Sequence, residues 1–126
     1  MAVEAIPLVP RGRRQVIQSY GGGGFTVAGQ RYRGDVLVFP ERTVAWSGTA
    51  DPSLESLADV AAAGADVALL LLGLGINGGL AAPALRAALK KSGIAVEAMT
   101  TAAACRTFNV LLAEERRVAA ALLAIE

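Results

Sequence analysis

Seven residues have types and spacings that suit the holding of an anion: Gly73, Gly75, Asn77, Thr100, Thr101, Arg106 and Asn109. The first three lie in Gly73-Leu74-Gly75-Ile76-Asn77-Gly78-Gly79, directly after the unbroken apolar run Val67 to Leu72. Ala82-Pro83 then opens a helical pattern, with proline where its missing N–H costs nothing. Thr100 and Thr101 precede a second helical pattern. Both loops thus lead into helix starts, whose free N–H groups favour negative charge. Arg106 and Asn109 stand three residues apart on that second helix and share a face. The same residues also admit a purely structural account. On it the glycines turn the chain, the threonines cap a helix, and Arg106 pairs with Glu97 or Glu114. The Gly73-x-Gly75 pair is no dinucleotide fingerprint, because the third glycine and the downstream acid are not in place.

What is missing narrows the chemistry further. The chain has no histidine. That removes the usual general base, the Ser-His and Cys-His nucleophile pairs and most zinc sites. Cys105 is the single cysteine, so no internal disulfide forms. It falls on the apolar side of its helix, where cysteine behaves as a small hydrophobe. Gly21 to Gly24 are not followed by the Lys-Ser or Lys-Thr of a phosphate-binding loop. No catalytic residue, metal ligand set or cofactor site emerges, and the balance leans away from an enzyme.

The elements that position these residues come next. At 126 residues, with 54% hydrophobic side chains, the chain suits one domain with a real core. The expected division is an irregular arm over 1–14, carrying Arg11, Arg13 and Arg14, and a single domain over 15–126. A net charge of +1 gives no general attraction to nucleic acid or anionic lipid. Val67 to Leu85 is uncharged and about as long as a bilayer span. Four glycines, Asn77 and Pro83 interrupt it, which favours strand, loop and helix over a transmembrane segment. No secretory signal pattern is seen, so a cytoplasmic location is expected.

In chain order, strands are expected at 16–20 and 25–27, at 32–39 with Gly34 as a bulge, and at 43–46. Trp46 belongs to the core or its rim. A helix should begin at an Asp51 cap with Pro52 next, align Leu54, Leu57, Ala58 and Ala61 in one stripe, and end at Gly64. Residues 66–72 read as a central strand covered on both faces. Then come a helix over 82–92, a strand over 94–99, and a helix capped by Thr100 or Thr101. That last helix buries Ala104, Cys105, Phe108, Leu111 and Leu112. The end is ambiguous: Glu114 to Leu123 suits a continued helix, while Val118, Ala120, Leu122 and Ala124 alternate as a strand. Strands alternating with helices over 51–113 point to parallel pairing.

Taken together, blocks along nearly the whole length resemble the Mth938-like family. They include Ser19-Tyr20-Gly21, Gly24-Phe25, Tyr32-Arg33-Gly34, Leu71-Leu72-Gly73-Leu74-Gly75 and Val96-Glu97-Ala98-Met99-Thr100-Thr101. The most specific are Ala104-Cys105-Arg106-Thr107-Phe108-Asn109-Val110-Leu111 and Glu114-Glu115-Arg116-Arg117-Val118-Ala119. The resemblance implies a three-layer α/β sandwich with a mixed central sheet and an added N-terminal β-hairpin region. It also implies a last strand, about 117–124, antiparallel to its neighbours. That family includes a mitochondrial assembly factor for respiratory complex I and many bacterial members. It therefore implies a bacterial, non-catalytic interaction or assembly protein with a protein partner, and it carries no agreed catalytic residues. The alternative is an anion-binding protein or an unrecognised enzyme, using a cleft between the 73–79 loop and the 100–109 helix start. Alanine-rich or hairpin surfaces leave room for a weak homodimer.

Overall fold

A computed structural model gives the fold and describes residues 14–126. The expected arm therefore lies, except for Arg14, outside the described residues. The Arg14 guanidinium donates to the Leu112 carbonyl.

Strands β1 (Ile17–Gly21), β2 (Gly24–Val27) and β3 (Gln30–Arg33) form an antiparallel three-stranded sheet in that order. A second sheet is built from β4 (Val36–Val38), β5 (Thr43–Ala45), β6 (Leu69–Gly73), β7 (Ala95–Met99) and β8 (Val118–Leu122). Its order is β5-β4-β8-β6-β7. The helices are α1 (Ala58–Ala62), α2 (Pro83–Lys90) and α3 (Thr101–Ala113).

Successive residues of a strand point to opposite faces, and the five-stranded sheet uses both. Leu37, Leu70, Leu72, Ala119 and Ala121 join Val60 of α1 and Leu85 and Leu89 of α2 in one core. Val36, Val38, Leu71, Ala120 and Leu122 join Ala104, Cys105 and Phe108 of α3 in another, closed by Phe25 and Val27 of the small sheet. The result is a three-layer α/β sandwich with a mixed central sheet and an N-terminal antiparallel addition, as the family resemblance implies. Because β6 and β8 are buried on both faces, they read as continuous apolar runs. No helix among the described residues is long and apolar enough to cross a membrane.

The crossovers explain where the helices lie. The chain steps from β6 through α2 outward to β7, then back through α3 past β6 to β8. Crossovers of one hand taken in opposite directions place their helices on opposite faces. The same helical return corrects one expectation. The last strand is antiparallel to β4 but parallel to β6, in register from Leu69 opposite Val118 to Gly73 opposite Leu122. A helix between two strands carries the chain back to its starting edge, so β8 leaves in the direction of β7.

Three local expectations also change. The strand expected over 32–39 is two strands in different sheets. Gly34 takes φ +80°, a left-handed conformation, and turns the chain rather than bulging it. The helix expected from Asp51 starts later, as a 3-10 turn over Glu55–Leu57 that runs into α1. Side chains compete for the backbone there: Asp51 N–H donates to Thr49 Oγ1, and Ser56 N–H to Ser53 Oγ. A second 3-10 turn over Gly64–Asp66 delays the central strand to Leu69. Trp46 is buried, and its indole N–H donates to the Ser56 carbonyl at 2.9 Å.

Candidate functional site

In an open α/β sheet the edge beyond the parallel strands' carboxyl ends is where ligands gather, above all where successive crossovers diverge. Here that point lies between the 74–82 loop and the start of α3. The protein's own groups occupy it. Thr101 is fully buried; its Oγ1 accepts from Gly75 N–H at 2.9 Å and donates to the Leu123 carbonyl at 2.8 Å. Thr101 N–H in turn donates to the Gly75 carbonyl at 2.9 Å. Thr100 is the cap, its Oγ1 accepting from Ala103 N–H at 3.1 Å. Of the four N–H groups that the start of α3 leaves free of helical bonds, those of Thr101 and Ala103 are therefore already used. Gly73 permits the close approach: a Cβ there would stand 2.8 Å from Leu122 Cδ2 and 3.0 Å from Thr101 Cα.

Gly73, Gly75, Thr100 and Thr101 thus meet, joined by hydrogen bonds and close packing. Asn77 is exposed on the outer part of the loop. Asn109 faces elsewhere: its Oδ1 accepts from Ile17 N–H and its Nδ2 donates to the Ile17 carbonyl, each at 2.8 Å. The amide serves β1 as a neighbouring strand would. Arg106 is exposed, with no ion pair to Glu97 or Glu114 among the described residues. Cys105 is buried, and that burial pushes its thiol up to about 12, Arg106 opposing the rise. A thiol so placed is protonated at neutral pH and a poor nucleophile.

The residues that suit an anion do not include the loop's large apolar side chains, and two of these are exposed. Ile76 is 70% and Leu80 85% exposed. Ile76 directly follows Gly75 and Leu80 directly follows Gly79, and that placement beside turning residues was the available signal. Also unselected was Asp35, whose carboxylate accepts from Gly48 N–H at 3.2 Å and Ala124 N–H at 2.7 Å. It ties the segments that follow β5 and β8 to the start of β4. Two surface grooves are lined by residues outside the loop. One, of about 730 Å³, runs between α2 and β7. The other, of about 650 Å³, is lined by Phe39, Arg42, Asp66 and Arg117.

The profile of a family described as a protein of unknown function, DUF498/DUF598, matches residues 17–123. The chain belongs to that family. The chain is also Mth938-like. A Bordetella pertussis structure described as a Mth938-like domain is 28% identical, with a TM-score of 0.79 over 98% of this chain and 92% of that one. A Bartonella henselae structure described as an outer membrane protein is 37% identical. It superposes with a TM-score of 0.84 over 90% of this chain and 97% of that one. Among curated relatives, an uncharacterised Rhodobacter capsulatus protein is 41% identical over 107 residues, covering 85% of this chain and 82% of its own length. The Danio rerio NADH dehydrogenase [ubiquinone] 1 alpha subcomplex assembly factor 3 is 37% identical over 110 residues. That match covers 86% of this chain but 63% of the assembly factor. This family member thus relates to complex I assembly factors while spanning about three-fifths of their length.

Proposed function

We propose that this chain is a non-catalytic interaction protein of the assembly-factor kind, working in the bacterial cytoplasm, and that the 74–82 loop is its working surface. One observation carries the reading. The loop closes the ligand edge of the sheet with its own hydrogen bonds and turns Ile76 and Leu80 outward. Large apolar side chains held in water at this edge favour a covering partner. The kinship with assembly factors supplies the class of partner: a polypeptide awaiting assembly, of the respiratory-complex kind. The proposal includes no resident cofactor and no nucleic-acid partner.

Affinity capture from native cells tests this with the wild type beside an Ile76→Ser/Leu80→Ser chain. The expected outcome is a defined protein recovered by the first and lost from the second, with equal melting temperatures. The same partner retained by both chains would overturn the loop assignment. An anionic metabolite that raises the melting temperature of wild type but not of Arg106→Lys would favour the anion-binding alternative, since lysine keeps the charge without the planar fork.

A further inference from the structure

Among the described residues, strand β7 ends the five-stranded sheet and has β6 as its single neighbour. Its outward hydrogen-bonding groups follow from the register. Ala95 N–H donates to the Ala68 carbonyl, and the Met99 carbonyl accepts from Leu74 N–H. In a parallel pair, alternate residues turn both backbone groups to one neighbour. Ala95, Glu97 and Met99 therefore serve β6, while Val96 and Ala98 point outward. The outward carbonyl of Val96 is met by the Arg86 guanidinium of α2. The N–H groups of Val96 and Ala98 have no partner beyond the sheet among the described residues. Beside this edge runs the groove of about 730 Å³, walled by Pro83, Arg86, Ala87 and Lys90 of α2. Those positions repeat at helical spacing, so one whole face of α2 borders the edge.

We infer that this groove takes an extended, acidic segment of a partner protein, added to β7 as a sixth strand. Strand addition fits an open edge lying beside a helix, where backbone bonds give affinity and alternate side chains give choice. Charge selects the occupant. Val96 packs into the core on the α2 side and Glu97, the carboxylate that also lines the groove, alternates to the other face, so the residues of an added strand that lie on the α2 side face Arg86 and Lys90. One guanidinium N–H group holds Val96, and the remaining donors are free for a carboxylate. A second copy fits poorly. Two β7 strands paired antiparallel about an axis normal to the sheet set α2 beside α2, with Arg86 and Lys90 facing like charges. The inference rests on the interaction-protein reading but uses a different face from the 74–82 loop.

The test is fluorescence anisotropy of the full chain with three labelled eight-residue probes: alternating Glu and Val, alternating Lys and Val, and the acidic probe with proline at every fourth position. Only the first is expected to bind, and more weakly as salt rises. Lys90→Glu should weaken it at least threefold. Ala98→Pro, which removes an outward N–H from an edge strand without touching β6, should weaken it at least tenfold. Lys90→Glu is an exposed helix change, so it keeps the test sharp if Ala98→Pro fails to fold. Equal binding of acidic and basic probes, no binding of either, or indifference to Lys90→Glu overturns the inference. So does self-association of the free chain that Ala98→Pro abolishes. Any of these leaves the loop reading standing if Leu80 still governs partner capture; loss of that capture with intact probe binding would remove the loop and keep the groove.

Discussion

Thr101 locks the 74–82 loop to the start of α3. One hydroxyl both accepts from Gly75 N–H and donates to the Leu123 carbonyl, inside a fully buried site. Valine matches its shape but leaves both backbone groups unpaired. Thr101→Val is expected to lower stability by about 2–6 kcal/mol, at roughly 1–3 kcal/mol per stranded group. Urea denaturation checks this: the midpoint should fall with little change in slope. Cys105 gives a second residue-scale expectation. Burial raises the folded thiol from an ordinary 9.0 to about 12. In that interval the unfolded chain binds fewer protons than the folded one. The thiol's contribution is thus fully present below about pH 9 and is lost as pH rises toward 12, at up to about 1.4 kcal/mol per pH unit. Denaturation curves between pH 8 and 11 should fall less steeply for Cys105→Ala than for wild type. At this scale the glycines, the two threonines and buried Cys105 were legible in the sequence. The partners of Asn109 were not: Ile17 lies 92 residues away, and only the packing of α3 on β1 brings its backbone within reach.

Among elements, the strand–loop–helix unit from β6 to α2 was the clearest in the sequence, because a wholly apolar run, a glycine cluster and Pro83 mark three states in turn. Elements held by tertiary bonds were harder to read. Gly34 looks the same in a bulge as in a turn between two sheets; its role follows from where β3 and β4 find partners. The direction of β8 depended on which strands flank it, and alternation along Val118–Leu122 carries no such information. Close approach of β6, β8 and α3 yields its own expectation. A methyl at Gly73 would meet Leu122, backbone of Thr101, and Ala104 Cβ at 3.1 Å. Leu122 is a flexible tip, but α3 is not. Gly73→Ala should therefore cost about 1–3 kcal/mol by overpacking, read as a lower midpoint in urea with a retained far-ultraviolet dichroism spectrum.

For the whole molecule, the two cores, the sealed ligand edge and the outward Ile76 and Leu80 favour a scaffold that presents a surface. The fold class was readable from the order of elements and the family resemblance. The exposed loop was not selected, since solvent exposure of an apolar residue depends on what the finished fold leaves uncovered. Family kinship places complex I assembly factors among the relatives of this chain, and the loop is where we propose that a polypeptide partner is gripped. The most direct measurement is site-specific photo-crosslinking in native cells, with a benzophenone amino acid at position 80 and, as control, at exposed position 110 of α3. The account predicts one discrete cross-linked protein from position 80 and none of it from position 110. The same adduct from both positions, or none from position 80 while the purified chain binds a small molecule, would contradict it.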